Sequence, residues 1–155
     1  MRILILGGTK DSTNIITHIK ENYDAFILTT TTTEYGARLA KEAGSDDTIA
    51  RPLLKDEIIE IIQKEKFDIL IDATHPFAEH ITQTSASIAE ELKIPYIRFE
   101  RPTANLENMD TSNIHYVNSF DEAGKLIAEK FNKGNVMHFA GANTMADIVK
   151  YVAVA

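Results

Sequence analysis

The chain has no cysteine, which excludes disulfide bonds and thiolate chemistry. It is short of positive charge. Sixteen lysines and arginines face 23 aspartates and glutamates, for a formal charge of -7, and such a balance argues against non-specific binding to nucleic acid and against an anionic membrane surface. Long apolar runs are missing too. The opening one, residues 3–6, is too short for the apolar stretch of a secretory signal, and no run is long enough to span a bilayer. We therefore expect a soluble, cytoplasmic protein without a nucleic-acid or membrane partner. No P-loop, nucleophile elbow or H-E-x-x-H is present. With 155 residues and 44% hydrophobic content, the chain can still bury a substantial core.

What is there is an alternation of strand and helix signals. Residues 2–6 form a nearly unbroken apolar run ended by two glycines, which reads as a parallel strand buried on both faces. A helix follows, capped by Asp11 or Ser12, with Ile15, Ile16 and Ile19 as its apolar face. Residues 25–28 read as the second strand, 35–43 as a helix closed by Gly44, and 47–50 as a short third strand. Residues 55–66 alternate isoleucines with charges and feed a strand at 68–71. Phe77, Ile81, Ile88 and Leu92 keep one stripe of the next helix toward a sheet, and 96–99 make another strand. This pattern predicts an α/β fold, a Rossmann-like open parallel sheet with helices on both faces, over residues 1–102.

Residues 103–113 read as a polar linker, and 103–155 as that linker plus part of a second α/β domain. The second unit is expected to hold strands at 114–117 and 136–139. Ser119 and Glu122 have the spacing of a capping box for a helix at 120–131, and a last helix begins near Thr144, after Ala142 and Asn143. The chain is expected to stop partway through that domain, the alternative being a short protein whose last strand is 152–154.

Two stretches carry a nucleotide reading. Gly7-Gly8-Thr9-Lys10-Asp11-Ser12 joins the first strand to the first helix, where glycines let the backbone approach a pyrophosphate at the positive end of a helix. A tight turn without a ligand needs a glycine as well, and Thr9 and Ser12 stand where the full fingerprint has its second and third glycines. At the end of the second strand, Thr29 and Thr30 open a run of threonines that reaches Thr33, with no carboxylate before Glu34. Hydroxyls can donate to a 2′-phosphate where a carboxylate would repel it, so the expected cofactor is NADPH, with NADH as the alternative.

A third stretch, Asp72-Ala73-Thr74-His75-Pro76-Phe77-Ala78, lies where the strand at 68–71 ends and a helix pattern starts. Pro76 suits the first helical position, with Thr74 or His75 as N-cap. Asp72 reads equally as a cap and as a functional carboxylate. His75 can donate a hydrogen bond or a proton at the sheet edge, or be structural. His75 and His80 fall on different helical faces and make no metal site.

The wording of that third stretch, together with Ile3-Leu4-Ile5-Leu6-Gly7-Gly8-Thr9 and Arg98-Phe99-Glu100-Arg101-Pro102, resembles the precorrin-6A reductase family of cobalamin (vitamin B12) biosynthesis. Members of that family reduce one double bond of a corrinoid-precursor macrocycle, with or without cobalt, using a reduced nicotinamide cofactor. The resemblance implies cofactor contacts at Gly7, Gly8 and Thr9, to which the two nucleotide stretches add Ser12, Thr29 and Thr30, and it turns Thr74, also expected against the cofactor, and His75 toward the reacting centre. It implies catalysis by His75 and Asp72, and a tetrapyrrole substrate met by His75 and Arg101. Arg51, Arg98 and Arg101 would offset the carboxylates of such a substrate. Family chains are longer, so this chain by itself is expected to be inactive. A non-catalytic nucleotide-binding module is one alternative. An atypical short-chain reductase or epimerase is another, although no tyrosine here is followed four residues later by lysine.

Overall fold

Ile3 to Leu6 can be apolar at every position because the strand they form is walled on both faces. The computed structural model describes residues 1–102, 110–131, 133–141 and 144–152, in two units, Met1–Pro102 and Thr103–Ala155. The first unit contains β1 (Arg2–Leu6), α1 (Lys10–Asn22), β2 (Phe26–Thr31), α2 (Glu34–Glu42), β3 (Asp47–Ala50), α3 (Lys55–Glu65), β4 (Ile69–Asp72), α4 (Glu79–Leu92) and β5 (Tyr96–Arg98). Its strands make one five-stranded sheet in the order β3-β2-β1-β4-β5, parallel throughout. The expected open α/β sheet is therefore present.

Successive side chains of a strand point to opposite faces, so β1 feeds two cores. Ile3 and Ile5 pack with Ile16 of α1, Ile27, Ala40 of α2 and Ile71. Leu4 and Leu6 pack with Leu28, Ile58 and Ile62 of α3, Phe67, Leu70 and Ile88 of α4. Each such side chain contributes about 1.5–3 kcal/mol on burial. The chain runs outward through β2 and β3, then returns to the other side of β1 at β4. That reversal opens a crevice at the carboxyl ends of β1 and β4.

Several boundaries differ from those expected. Thr9, not Asp11 or Ser12, is the N-cap of α1. Strand β2 runs on through Thr31, so the first threonines lie within the sheet. Helix α4 begins at Glu79 rather than Pro76, and neither Thr74 nor His75 caps it. The reason is local: Asp72 takes the Thr74 amide at 3.0 Å, and the Ala78 amide closes a turn on the His75 carbonyl at 2.8 Å. Pro76 occupies the second position of that turn, which wants the same φ as a helix start. Phe77 consequently stands exposed instead of joining the stripe of α4.

The second unit holds α5 (Phe120–Lys130) and α6 (Met145–Val149). Ser119 caps α5, accepting the Glu122 amide at 3.1 Å, while the Glu122 carboxylate takes the Asn118 amide at 2.8 Å. Gly124 lets the two helices meet, since a Cβ there would lie 2.8 Å from the Tyr151 ring. Asp121 accepts from Tyr151 at 2.9 Å and pairs with Lys125 and Lys150; these bonds hold its carboxyl far below the usual range. The strands expected at 114–117 and 136–139 are not formed, and no strand occurs among the described residues of this unit. An apolar run becomes a strand only when a neighbour takes its backbone groups, and Ile114, Val117, Val136 and Phe139 are instead exposed. Residues 103–109 of the expected linker, Ala142 and Asn143 of the expected turn, and residues 153–154 of the expected last strand lie outside the described residues. No helix among the described residues is long and apolar enough to cross a membrane.

Candidate functional site

The turn from β1 to α1 is shaped by contacts that only glycine permits. A Cβ on Gly7 would stand 2.9 Å from Thr29 Cγ2 and 3.0 Å from Ser12 Oγ, and Gly8 has φ +99°, a conformation that L side chains rarely adopt. The Gly7 amide is spent on the Thr30 carbonyl at 2.8 Å. Ser12 is buried, and its hydroxyl accepts from the Gly8 and Thr9 amides at 3.2 Å each while donating to the Thr9 carbonyl at 2.7 Å. Ser12 thus shapes the turn from behind. Thr9 accepts the Ser12 amide at 3.1 Å and donates to the Ala73 carbonyl, beyond β4, at 2.8 Å. Among the described residues, the amides of Lys10 and Asp11 find no acceptor.

Across the crevice, Asp72 ends β4 with no exposed surface. One oxygen accepts from the Thr74 amide (3.0 Å), the Thr74 hydroxyl (2.7 Å) and Arg98 (2.8 Å). The other accepts from Thr82 (2.8 Å) and Tyr96 (3.0 Å). Burial works to raise the Asp72 carboxyl, but the bonds from Thr74 and Thr82 and the charge of Arg98 outweigh it and hold it below the ordinary value. Tyr96 moves upward through its own burial and the neighbouring carboxylate. Asp72, expected as a catalytic carboxylate, thus has both oxygens engaged inside the protein and holds the loop after β4.

That loop presents His75. The ring is exposed, its Nδ1 accepts the Phe77 amide at 3.2 Å, and its edge meets the Phe77 ring at 5.0 Å between centroids. An accepting Nδ1 places the proton of the neutral ring on Nε2, so the outward nitrogen is a donor.

The two turns wall a cavity of about 380 Å³, lined by Gly7, Gly8, Thr9, Thr30, Thr31, Thr32, Arg51, Thr74, His75 and His80 among others. Of the expected site residues, Gly7, Gly8, Thr9, Thr30, Thr74 and His75 come together here. Three do not. Ser12 lies behind the turn; Thr29 is fully buried with its hydroxyl on Ser45 at 2.8 Å; Arg101 pairs with Asp11 at the start of α1, 2.6 Å apart. Arg51 and Thr32 are additions. The sequence marked Arg51 only as a cation; its place follows from the pairing of Thr31 with Ala50, which sets it beside Thr32.

The residues of the two turns suit a phosphate-bearing ligand. Two amides are free at the positive end of α1, and the carboxyl edge of the sheet is where such folds bind nucleotides.

Residues 2–154 match the family described as precorrin-6x reductase CbiJ/CobK. A cobalt-precorrin-6A reductase of Methanocaldococcus jannaschii is 43% identical over 152 residues, covering 98% of this chain and 58% of that protein. One of Methanococcus maripaludis is 38% identical over 155 residues, covering 99% of this chain and 60% of that protein. The chain therefore spans less than two thirds of these relatives. A solved structure of CobK precorrin-6A reductase shares the fold, with a TM-score of 0.58 and 18% identity over 71% of this chain and 43% of that one. On these matches the chain belongs to the precorrin-6x reductase CbiJ/CobK family.

Proposed function

We propose that this chain forms the nucleotide-binding part of a cobalt-precorrin-6A reductase, which transfers a hydride from NADPH, in preference to NADH, to a C=C bond of the (cobalt-)precorrin-6A macrocycle in cobalamin biosynthesis. The observation that carries this reading is the cavity at the crevice, where the Gly7–Thr9 turn, the hydroxyls after β2 and the His75 loop converge in a chain of this family.

The cofactor, when bound, supplies the hydride. The protein holds and orients. The Lys10 and Asp11 amides and the dipole of α1 favour the pyrophosphate, and Arg101 offsets the Asp11 carboxylate that would otherwise oppose it there. Thr30 and Thr32 face the sugar side, where no carboxylate disfavours a 2′-phosphate. Reduction of C=C also takes a proton, which His75, once protonated on both ring nitrogens, or water supplies at this edge. Asp72 and Arg98 hold the His75 loop in place. Residues 1–102 are the nucleotide domain on this reading, and 103–155 belong to a second one. The protein works in the cytoplasm on a free tetrapyrrole, and the chain by itself binds cofactor but reduces little.

Calorimetric titration of the chain with both reduced cofactors is the test. Binding is expected, tighter for NADPH; heat from neither would remove the reading. In the full-length protein, His75→Ala should lower kcat about 10²-fold or more, as losing a positioned donor or acid does. The cofactor Kd should move far less. Wild-type turnover by the variant would leave His75 a structural residue.

A further inference from the structure

We infer that Arg51 reads the 2′-phosphate of the cofactor and is the residue that sets NADPH above NADH. This rests on the proposed cofactor reading and names the group that gives it specificity.

In an open parallel sheet the adenosine ribose lies beyond the carboxyl end of the second strand. Here that end offers hydroxyls from Thr30 to Thr32 and no anion. Strand β3 runs beside it in a register that pairs Thr31 with Ala50, the last residue of β3. Arg51 therefore leaves the sheet next to Thr32, and both line the same cavity.

Its guanidinium is held, not floating. One terminal nitrogen pairs with the Glu57 carboxylate at 2.7 Å and the other donates to the Pro52 carbonyl at 3.1 Å. Glu57 is itself fixed by the Leu54 amide at 2.8 Å, at the start of α3. Among the described residues, the remaining guanidinium N–H groups have no acceptor. The side chain is 56% exposed, so meeting an anion costs little desolvation. A planar, always charged fork with donors to spare suits phosphate oxygens. Glu57 lowers the net charge nearby, which leaves hydrogen-bond geometry rather than bulk field to discriminate. NADH, with a 2′-hydroxyl, gains nothing from this group.

The dissociation constants of the chain for NADPH and NADH decide the matter, measured for wild type, Arg51→Ala and Arg51→Lys. Arg51→Ala should weaken NADPH about tenfold or more, the worth of a charge-assisted bond, and leave NADH within about twofold, as for loss of an exposed ion pair. Arg51→Lys, which keeps charge without the fork, should fall between. An unchanged NADPH-to-NADH ratio in Arg51→Ala, or equal loss of both cofactors, would overturn the assignment and leave the cofactor reading standing. Binding of neither cofactor by wild type would remove that reading and the inference together.

Discussion

Without the charge of Asp72, Arg98 would lie 13% exposed against the Thr74 carbonyl and hydroxyl, with only the solvent-exposed Glu100 carboxylate, 3.4 Å away, as a counter-ion. Breaking a buried pair by removing one partner costs about 3–5 kcal/mol, so Asp72→Asn should lower urea stability at neutral pH by an amount in that range. Its pH dependence has a definite sign. The folded carboxyl lies below its unfolded value, which is about 3.9, so the ion stabilises the fold above roughly pH 4 and loses that contribution as pH falls through the folded value. The gap between wild type and variant should therefore narrow on acidification below about pH 4. A gap that stays constant would mean that Asp72 acts through shape alone. In the sequence Asp72 reads equally as cap and as reactive group, because what decides between them comes from Thr82, Tyr96 and Arg98 on other elements. The burial of Thr29 was not legible for the same kind of reason: its partner, Ser45, belongs to the loop before β3.

The turn between β1 and α1 depends on one side chain at each end. Thr9 caps α1 and also reaches Ala73. Loss of an N-cap hydroxyl costs about 0.5–2 kcal/mol, and the bond to Ala73 adds to it, so Thr9→Ala should destabilise the chain by roughly 2 kcal/mol while Thr9→Ser keeps most of the stability. Equal thermal midpoints for the two variants would show that the hydroxyl contributes nothing. The glycines of this turn were legible as a strand-to-helix turn, since Thr9 and Ser12, which shape it, are close in sequence. The start of α4 was not. Proline sets the same φ in a turn as in a first helical residue, and only the claim of Asp72 on the Thr74 amide selects the turn.

For the whole molecule, alternation and crossover handedness were enough to foresee the parallel sheet of the first unit, because each strand is named by its own apolar run and each helix by its own stripe. The expected strands at 114–117 and 136–139 had runs of the same quality, yet the structure leaves them unpaired; pairing is a property of the neighbour and is invisible in the run itself. One contact in the first unit has a consequence for the order of events. The Thr9 hydroxyl touches both turns of the crevice, so a dinucleotide that settles the start of α1 also settles the loop bearing Thr74 and His75. On the proposed function, cofactor and macrocycle should then bind cooperatively, each raising the affinity of the other by the same factor, because linkage is reciprocal. In the full-length protein the NADPH Kd should fall about fivefold or more when the macrocycle is present, and Thr9→Ala should shrink that factor. If the constant is unchanged in wild type, the two ligands are strangers; if it falls, whichever arrives first prepares the pocket for the second.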